Sequence, residues 1–156
     1  MKQKEIIIDH LKAMGFDPIE LGNAGYIFKY EDMNYLYMPE EDDEQFLRIA
    51  IPHLFDVTDE NRVAVLKAMH ETGLMLKYTK MCIMFEDTIW AIYEHRLNNS
   101  DNLTELLEHI IRFLEATVYV FNQKINGEDI RSSSEENSEN ELEAELQKIL
   151  ESEEDE

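Results

Sequence analysis

The sequence predicts an α+β fold in which an antiparallel sheet packs against helices. Apolar residues recur at helical spacing in three segments, near the beginning, the middle and the end of the first 125 residues. Between these segments lie five short runs rich in aromatic and β-branched residues, and at two places a polar pair separates consecutive runs, as in a hairpin. Because helices and strands occur in separate groups, we expect the order α-β-β-β-α-β-β-α and a five-stranded, mainly antiparallel sheet.

The three helices are predicted from the spacing of their apolar residues. The first spans about residues 2–14, and the third, which has the longest apolar stripe, spans about 102–123. The second follows Thr58 or Asp59, each of which is a candidate cap for its first turn. Its apolar stripe contains Val63, Leu66, Met69 and Leu76.

The five strands are predicted over residues 26–30, 33–38, 46–51, 80–85 and 88–93. Glu31-Asp32 joins the first two strands and Glu86-Asp87 joins the last two, although hairpin turns prefer Asn-Gly or Asp-Gly at these positions. Pro52 is expected to stop the third strand, because proline lacks the N–H that a central strand donates.

The strands are apolar on both faces, which is the most informative feature of the sequence. A sheet with one face in water alternates apolar and polar residues, and these strands do not. Since three helices cover one face, we expect large apolar side chains on the other face, where a second copy, a partner polypeptide or the chain's own tail would cover them. Alternatively, the tyrosine hydroxyls reach water and this face is merely amphipathic. The residues predicted to form the partner-binding surface are Tyr26, Phe28, Tyr30, Tyr35, Tyr37 and Trp90.

The chain is strongly acidic, with 35 acidic and 14 basic side chains and a net charge of −21. Residues 1–125 carry 22 acidic and 12 basic side chains, whereas residues 126–156 carry 13 acidic and 2 basic. Because nucleic-acid phosphates and anionic lipid headgroups repel such a chain, we expect it to bind no nucleic acid and no membrane. A basic protein or peptide remains a compatible partner.

Two features indicate a soluble protein of the cytoplasm. The apolar run from Ile6 to Ile8 is too short and too close to Asp9 to form a signal peptide or a membrane span. The single cysteine, Cys82, excludes an internal disulfide and a multi-cysteine metal cluster. It lies on a predicted central strand, where burial favours an unreactive thiol.

No motif in the sequence indicates catalysis or metal binding. The five histidines, which are His10, His53, His70, His95 and His109, do not form the His-x-x-x-His spacing of a helical zinc site. The acidic run at residues 40–44 lacks the alternating ligands and the glycine of a calcium loop. A glycine-rich phosphate loop and a nucleophile elbow are also absent. We therefore predict no catalytic residues, no cofactor and no metal.

The C-terminal region is predicted to be separate from the folded domain. We expect residues 1–125 to form one domain and residues 126–156 to form an acidic linker followed by a short amphipathic helix, largely disordered when alone. Ser138 and Glu141 have the spacing of a capping box. The residues expected to dock this segment over a groove on the domain, until a partner displaces them, are Leu142, Leu146, Ile149 and Leu150.

The architecture of about residues 2–125 resembles that of a known family, most clearly over residues 61–123. A helix ending in Leu76-Lys77-Tyr78 is followed by a strand, an acidic turn, a strand that carries Trp90 and Tyr93, and a long helix. This pattern resembles the type III secretion chaperone-like fold, particularly its YbjN-type branch. The resemblance implies a dimeric α-β-β-β-α-β-β-α domain without a catalytic centre. Members of the secretion branch bind extended effector segments along hydrophobic surface, and YbjN-type members are linked to bacterial stress or motility regulation.

Together these features predict a non-enzymatic, chaperone- or adaptor-like protein-binding module, in the cytoplasm and as a homodimer. One alternative is an enzyme or small-ligand-binding domain with a pocket between helix and sheet, containing polar groups such as His70, His95 or His109. Another is a structural stress-response protein whose acidity maintains solubility.

Overall fold

In the computed structural model of the protein, which describes residues 2–130, six strands form one antiparallel sheet and three α-helices pack on one of its faces. This confirms the α+β class. The elements are α1 (Gln3–Ala13), β1 (Ile19–Leu21), β2 (Gly25–Tyr30), β3 (Met33–Tyr37), β4 (Phe46–Asp56), α2 (Arg62–Met75), β5 (Thr79–Met84), β6 (Thr88–Arg96) and α3 (Leu103–Ile130).

The sheet has the strand order β1-β2-β3-β4-β6-β5, so the prediction of five strands was one strand short. The missed strand, β1, is only three residues long, is exposed throughout, and pairs with β2 at the edge of the sheet. At the other edge lies β5. Cys82 is therefore half-buried on an edge strand rather than on the predicted central one.

Both predicted hairpins are present, with unusual turn residues. Glu31 and Asp32 have φ values of 47° and 65°, and Glu86 and Asp87 have φ values of 63° and 54°. In the two-residue loop between β2 and β3, this gives the mirror-image turn that matches the twist of the flanking strands. The loop between β5 and β6 has three residues, Phe85 to Asp87, because Met84 pairs with Thr88. These acidic residues occupy positions where glycine or asparagine adopts the same conformation with less strain.

Strand β4 passes through Pro52, so the prediction that it stops there was wrong. Its pairing with β6 holds as far as Ile51↔Ala91, is interrupted, and resumes at Phe55↔Ile89. His53, which has a φ of 53°, lies within this irregularity. The bulge removes Pro52 from the regular ladder, where its missing N–H would leave a partner carbonyl unpaired.

Helices α2 and α3 also differ from their predicted bounds. Asn61 directly precedes the first residue of α2. The Thr58 N–H donates to Asn61 Oδ1 over 2.7 Å, and the Asn61 N–H donates to Thr58 Oγ1 over 3.2 Å. Neither Thr58 nor Asp59 is therefore the cap. Helix α3 continues beyond Gln123 to Ile130, through the boundary expected after residue 125. The predicted linker beyond residue 130 and the capping box lie outside the described residues.

The core lies between the helices and one face of the sheet. Ile7 and Leu11 of α1, together with Leu107, Ile110 and Leu114 of α3, are fully buried there. A second part of this core joins α2 to the end of α3. Within residues 2–130, no helix is both long enough and apolar enough to cross a bilayer.

Candidate functional site

The five aromatic residues predicted on β2 and β3 lie on the helix-covered face, which corrects their expected role as an exposed surface. The register pairs Phe28 with Tyr35 and Tyr26 with Tyr37, so these side chains share one face with Tyr30. Phe28, Tyr35 and Tyr37 are buried, whereas Tyr26 and Tyr30 are half-buried and pack against the core. Burial raises the pKa of Tyr37 to about 12. Their bulk fills the space between sheet and helices.

Trp90 lies on the opposite face, within a group that we call the second-face cluster. Every member comes from strands β2 to β6 or directly follows β3, and no helix residue in the range 2–130 belongs to it. This face is therefore apolar, as the sequence predicted, and Trp90 is the one predicted surface residue that belongs to it. The second-face cluster consists of Ile27, Leu36, Met38, Ala50, Cys82, Met84, Trp90 and Ile92.

Next to this cluster the sheet opens between β3 and β4. These strands pair at Leu36↔Ala50 and Tyr37↔Ile49, and the described residues show no pairing between Tyr35 and Ile51, the next positions along. A cavity of about 570 Å³ lies beside these positions, and we call it the β3–β4 cleft. Its lining residues are Leu21, Ala24, Ile27, Asp32, Met33, Asn34, Leu36, Ile51, Pro52, His53, Leu54, Phe85, Glu86 and Trp90.

Trp90 is held in a fixed orientation on the wall of the cleft. Its indole Nε1–H donates to Thr88 Oγ1 over 3.2 Å, and its ring meets that of His53 edge to face, with centroids 5.6 Å apart. Thr88 Oγ1 also lies 3.3 Å from His53 Nδ1. With 9% of its surface exposed, Trp90 is almost completely buried. The bulge at His53 thus positions the only tryptophan of the chain.

Charge differs between the two ends of this face. Asp32 and Glu86 line the cleft, which makes this end acidic. At the other end, Glu94 binds both Lys80 and Arg48, with Arg48 Nη2 3.5 Å from Glu94 Oε2. Burial raises the pKa of Glu94, but the bonds to Lys80 and Arg48 outweigh this and hold it below its ordinary value.

The histidines named for a helix–sheet pocket do not converge. His70 is exposed on α2. His95 Nε2 lies 3.1 Å from Asp101 Oδ2, and backbone donation from Asn98, with this contact, lowers the pKa of Asp101. His109 Nδ1 lies 3.1 Å from the Tyr93 hydroxyl. In the described part of the chain, no three His, Cys, Asp or Glu side chains are grouped so that they could hold a metal ion.

Sequence reasoning missed a second exposed surface, the outer side of α2. Val63 and Leu66 were predicted in the apolar stripe of this helix, yet both are exposed. The residues of α2 that are buried are Val65, Ala68 and Thr72, and the Thr72 hydroxyl donates to the carbonyl of Ala68. A helix that is apolar on both sides gives no sequence signal for which side packs inward.

Comparisons with known proteins show similarity of fold alone. No protein-family model matches this sequence, and neither does any curated protein. The structure is similar to YbjN from E. coli, proposed to be a transcription regulator, with a TM-score of 0.60 and 7% identity over 80% of this chain and 92% of that one. It is also similar to an uncharacterized protein from Methanothermobacter thermautotrophicus, with a TM-score of 0.53 and 14% identity over 78% of this chain and 96% of that one. The chain therefore has a YbjN-like fold, and the secretion-chaperone half of the expected resemblance gains no support.

Proposed function

We propose that the protein binds an extended polypeptide segment in the β3–β4 cleft. This proposal rests on the short pairing between β3 and β4, which does not extend past Leu36↔Ala50 to Tyr35 and Ile51. Residues 33–35 on one side and residues 51–54 on the other are not paired with each other, and all of them except Tyr35 line the cleft. A strand that enters the cleft forms main-chain hydrogen bonds with such an edge, as in other cases of strand addition.

The side chains of the cleft supply apolar contacts for this segment. Ile27, Leu36 and Trp90 form part of its lining. A tryptophan in a nearly desolvated position is a frequent centre of binding energy in protein interfaces. The cleft therefore combines backbone edges, which give affinity, with pockets that select apolar side chains.

Electrostatics favour a segment with basic residues beside the apolar ones. Asp32 and Glu86 lie on the cleft itself, and the whole chain carries a net charge of −21. Attraction from this field accelerates the association of a cationic peptide and slows that of an anionic one. The same charge opposes direct contact with nucleic acid, so a regulatory role like that proposed for the E. coli neighbour would act through a protein.

In this proposal the protein is a cytoplasmic adaptor or chaperone that works as a homodimer. Support for a dimer comes from β1, an edge strand on which Ile19 and Leu21 are exposed, because such an edge readily pairs with another strand. Size-exclusion chromatography with light scattering should give twice the mass of one chain. A single-chain mass at all concentrations tested would exclude the dimer.

Fluorescence of Trp90 tests peptide binding directly, because it is the only tryptophan. The full chain is titrated with synthetic decapeptides in which apolar residues alternate with Lys, Ser or Glu. We expect a shift of the emission maximum with affinities in the order Lys, Ser, Glu. Absence of any shift across the set would refute binding in the cleft.

Two variants at directly opposed positions control for the site. Asn34→Tyr fills the cleft, whereas Lys29→Tyr adds the same side chain to its register partner, which does not line the cleft. Both positions are exposed strand sites that tolerate tyrosine. We expect at least tenfold weaker binding for Asn34→Tyr and unchanged binding for Lys29→Tyr. Equal affinities in the two variants would place the peptide elsewhere.

A further inference from the structure

The outer side of α2 is an exposed apolar stripe without a cover among residues 2–130. Val63 is 80% exposed and Leu74 is 74% exposed, and Leu66 lies between them at helical spacing. The opposite side of the helix, through Val65 and Ala68, already packs into the core. These apolar side chains share one side of the helix, on which the exposed His70 lies between Leu66 and Leu74, and apolar residues grouped in this way mark an interaction site more often than scattered ones do. We call it the α2 stripe.

The helix that carries the α2 stripe has a small positive net charge. Residues 61–77 contain Arg62, Lys67 and Lys77 but only one acidic residue, Glu71, and Arg62 Nη2 lies 3.8 Å from Asp87 Oδ1. In a chain with a net charge of −21, this stretch is the natural partner for an acidic segment. Residues 126–156, with 13 acidic and 2 basic side chains, form such a segment within the same chain.

Helix α3 delivers this segment to the beginning of α2. Phe121 and Ile125 of α3 pack in the same cluster as Val65 and Ala68 of α2, and Thr79, which follows α2, lies against Thr117. The two helices therefore run antiparallel, and α3 ends at Ile130 beyond the start of α2. Residues 131–137 are long enough, at roughly 3.3 Å each when extended, to let the chain turn back along α2.

Residues 138–150 match the α2 stripe in length and in the pattern of their apolar residues. Residues 138–150 would form a helix of about 20 Å, and α2 itself, with 14 residues, is about 21 Å long. Leu142, Leu146 and Ile149 share one helical face, with acidic residues elsewhere around the helix. A short acidic helix is marginal alone, so an apolar surface with basic neighbours stabilises it.

We infer that residues 138–150 dock as an amphipathic helix on the α2 stripe of the same chain. This site differs from the groove cover expected from the sequence. Asp32 and Glu86 line the β3–β4 cleft, so that surface repels an acidic tail, whereas the surroundings of α2 attract it. The docked tail leaves the cleft open, and the inference stands or falls independently of peptide binding there.

Photo-crosslinking in the full-length chain tests this placement. Benzoylphenylalanine replaces either Val63, on the α2 stripe, or Phe85, on the cleft, because both positions are 80% exposed. Mass spectrometry then locates the crosslinked peptide. We expect position 63 to crosslink within one chain to residues 138–150, with at least fivefold the yield from position 85. A larger yield from position 85, no tail crosslink from position 63, or crosslinks only between two chains would overturn the inference.

Two tail variants separate docking from general charge attraction. Leu146→Asp places a charge on the apolar face of the proposed helix, and Ala144→Asp adds the same charge on the opposite face. We expect Leu146→Asp to lower the crosslinking yield from position 63 at least fivefold, and Ala144→Asp to leave it within twofold. Equal effects of the two variants would mean that attraction without a specific apolar contact brings the tail to α2, which contradicts the proposed docking.

Discussion

The two faces of the sheet are built from alternate residues of the same strands, yet they are closed in different ways. On the helix-side face, β2 and β3 contribute aromatic side chains while β4 and β6 contribute mainly aliphatic ones, and the rings of Phe28 and Tyr35 stack there with centroids 5.4 Å apart. The second face carries mainly aliphatic and methionine side chains, which only their strand neighbours cover within the described residues. A thick layer under helices needs bulky side chains to avoid voids, whereas a face without helices is closed by flatter ones. Apolar character on both faces therefore does not show which face binds a partner.

The largest expected effect follows from truncation on opposite faces at neighbouring positions. Phe28→Ala opens a cavity in the helix-side core and should reduce the free energy of unfolding by about 3–5 kcal/mol. Ile27→Ala, on the half-exposed second face, should cost at most about 2 kcal/mol because water already reaches the side chain. Urea unfolding followed by circular dichroism measures both changes. Equal losses would mean that the second face is packed as tightly as the core.

The second prediction concerns a polar atom in the helix-side core. The Tyr35 hydroxyl is buried and has no hydrogen-bond partner among the described residues, and burial raises its pKa far above the ordinary value. Because an unpaired buried hydroxyl carries a desolvation cost, Tyr35→Phe should increase the free energy of unfolding by about 1 kcal/mol. Thermal or urea unfolding tests the sign. A loss of stability would show that the hydroxyl is hydrogen-bonded in solution.

A third prediction tests the turn that fixes the register between β2 and β3. A slip of one residue would exchange the two faces, so the turn decides which side chains enter the core. Asp32 has a φ of 65°, which glycine adopts without strain. Asp32→Gly should therefore raise the free energy of unfolding by about 1 kcal/mol, whereas Asp32→Val should lower it. If both substitutions lower stability, the turn does not have this conformation.

The sequence was sufficient for the elements whose signals are local. The two hairpins were recovered because runs rich in aromatic and β-branched residues flank a polar pair, although Glu31 and Asp32 are not preferred turn residues. Strand β1 was missed because three exposed residues give no alternation. The face occupied by Trp90 depends on pairing Cys82↔Trp90 and Ala50↔Ile92, which is long-range information.

The β3–β4 cleft was missed for a related reason. Pro52 signalled a break in the third strand, but the sequence alone does not show that β4 resumes after it. Strand β4 resumes because β6 offers a partner as far as Thr88, and the bulge at His53 absorbs the extra residues. Similarly, the sequence predicted Val63 in the buried stripe of α2. The structure shows instead that Val65 and Ala68 form the side of this helix that faces the core.

The smallest expected effect concerns the charged border of the second face. Lys80 and Arg48 lower the pKa of Glu94 below its ordinary value of 4.5 despite the opposing effect of burial. A carboxyl with a lowered pKa in the folded state stabilises the fold above its unfolded pKa, and this contribution disappears as the pH falls through the folded value. At pH 7, Glu94→Gln should lower the free energy of unfolding by about 0.5 kcal/mol, because the pair remains partly exposed to water. In urea unfolding, the difference between wild type and variant should shrink as the pH falls below 4.5. A difference that does not shrink with falling pH would mean that packing of this side chain, rather than its charge, closes this end of the face.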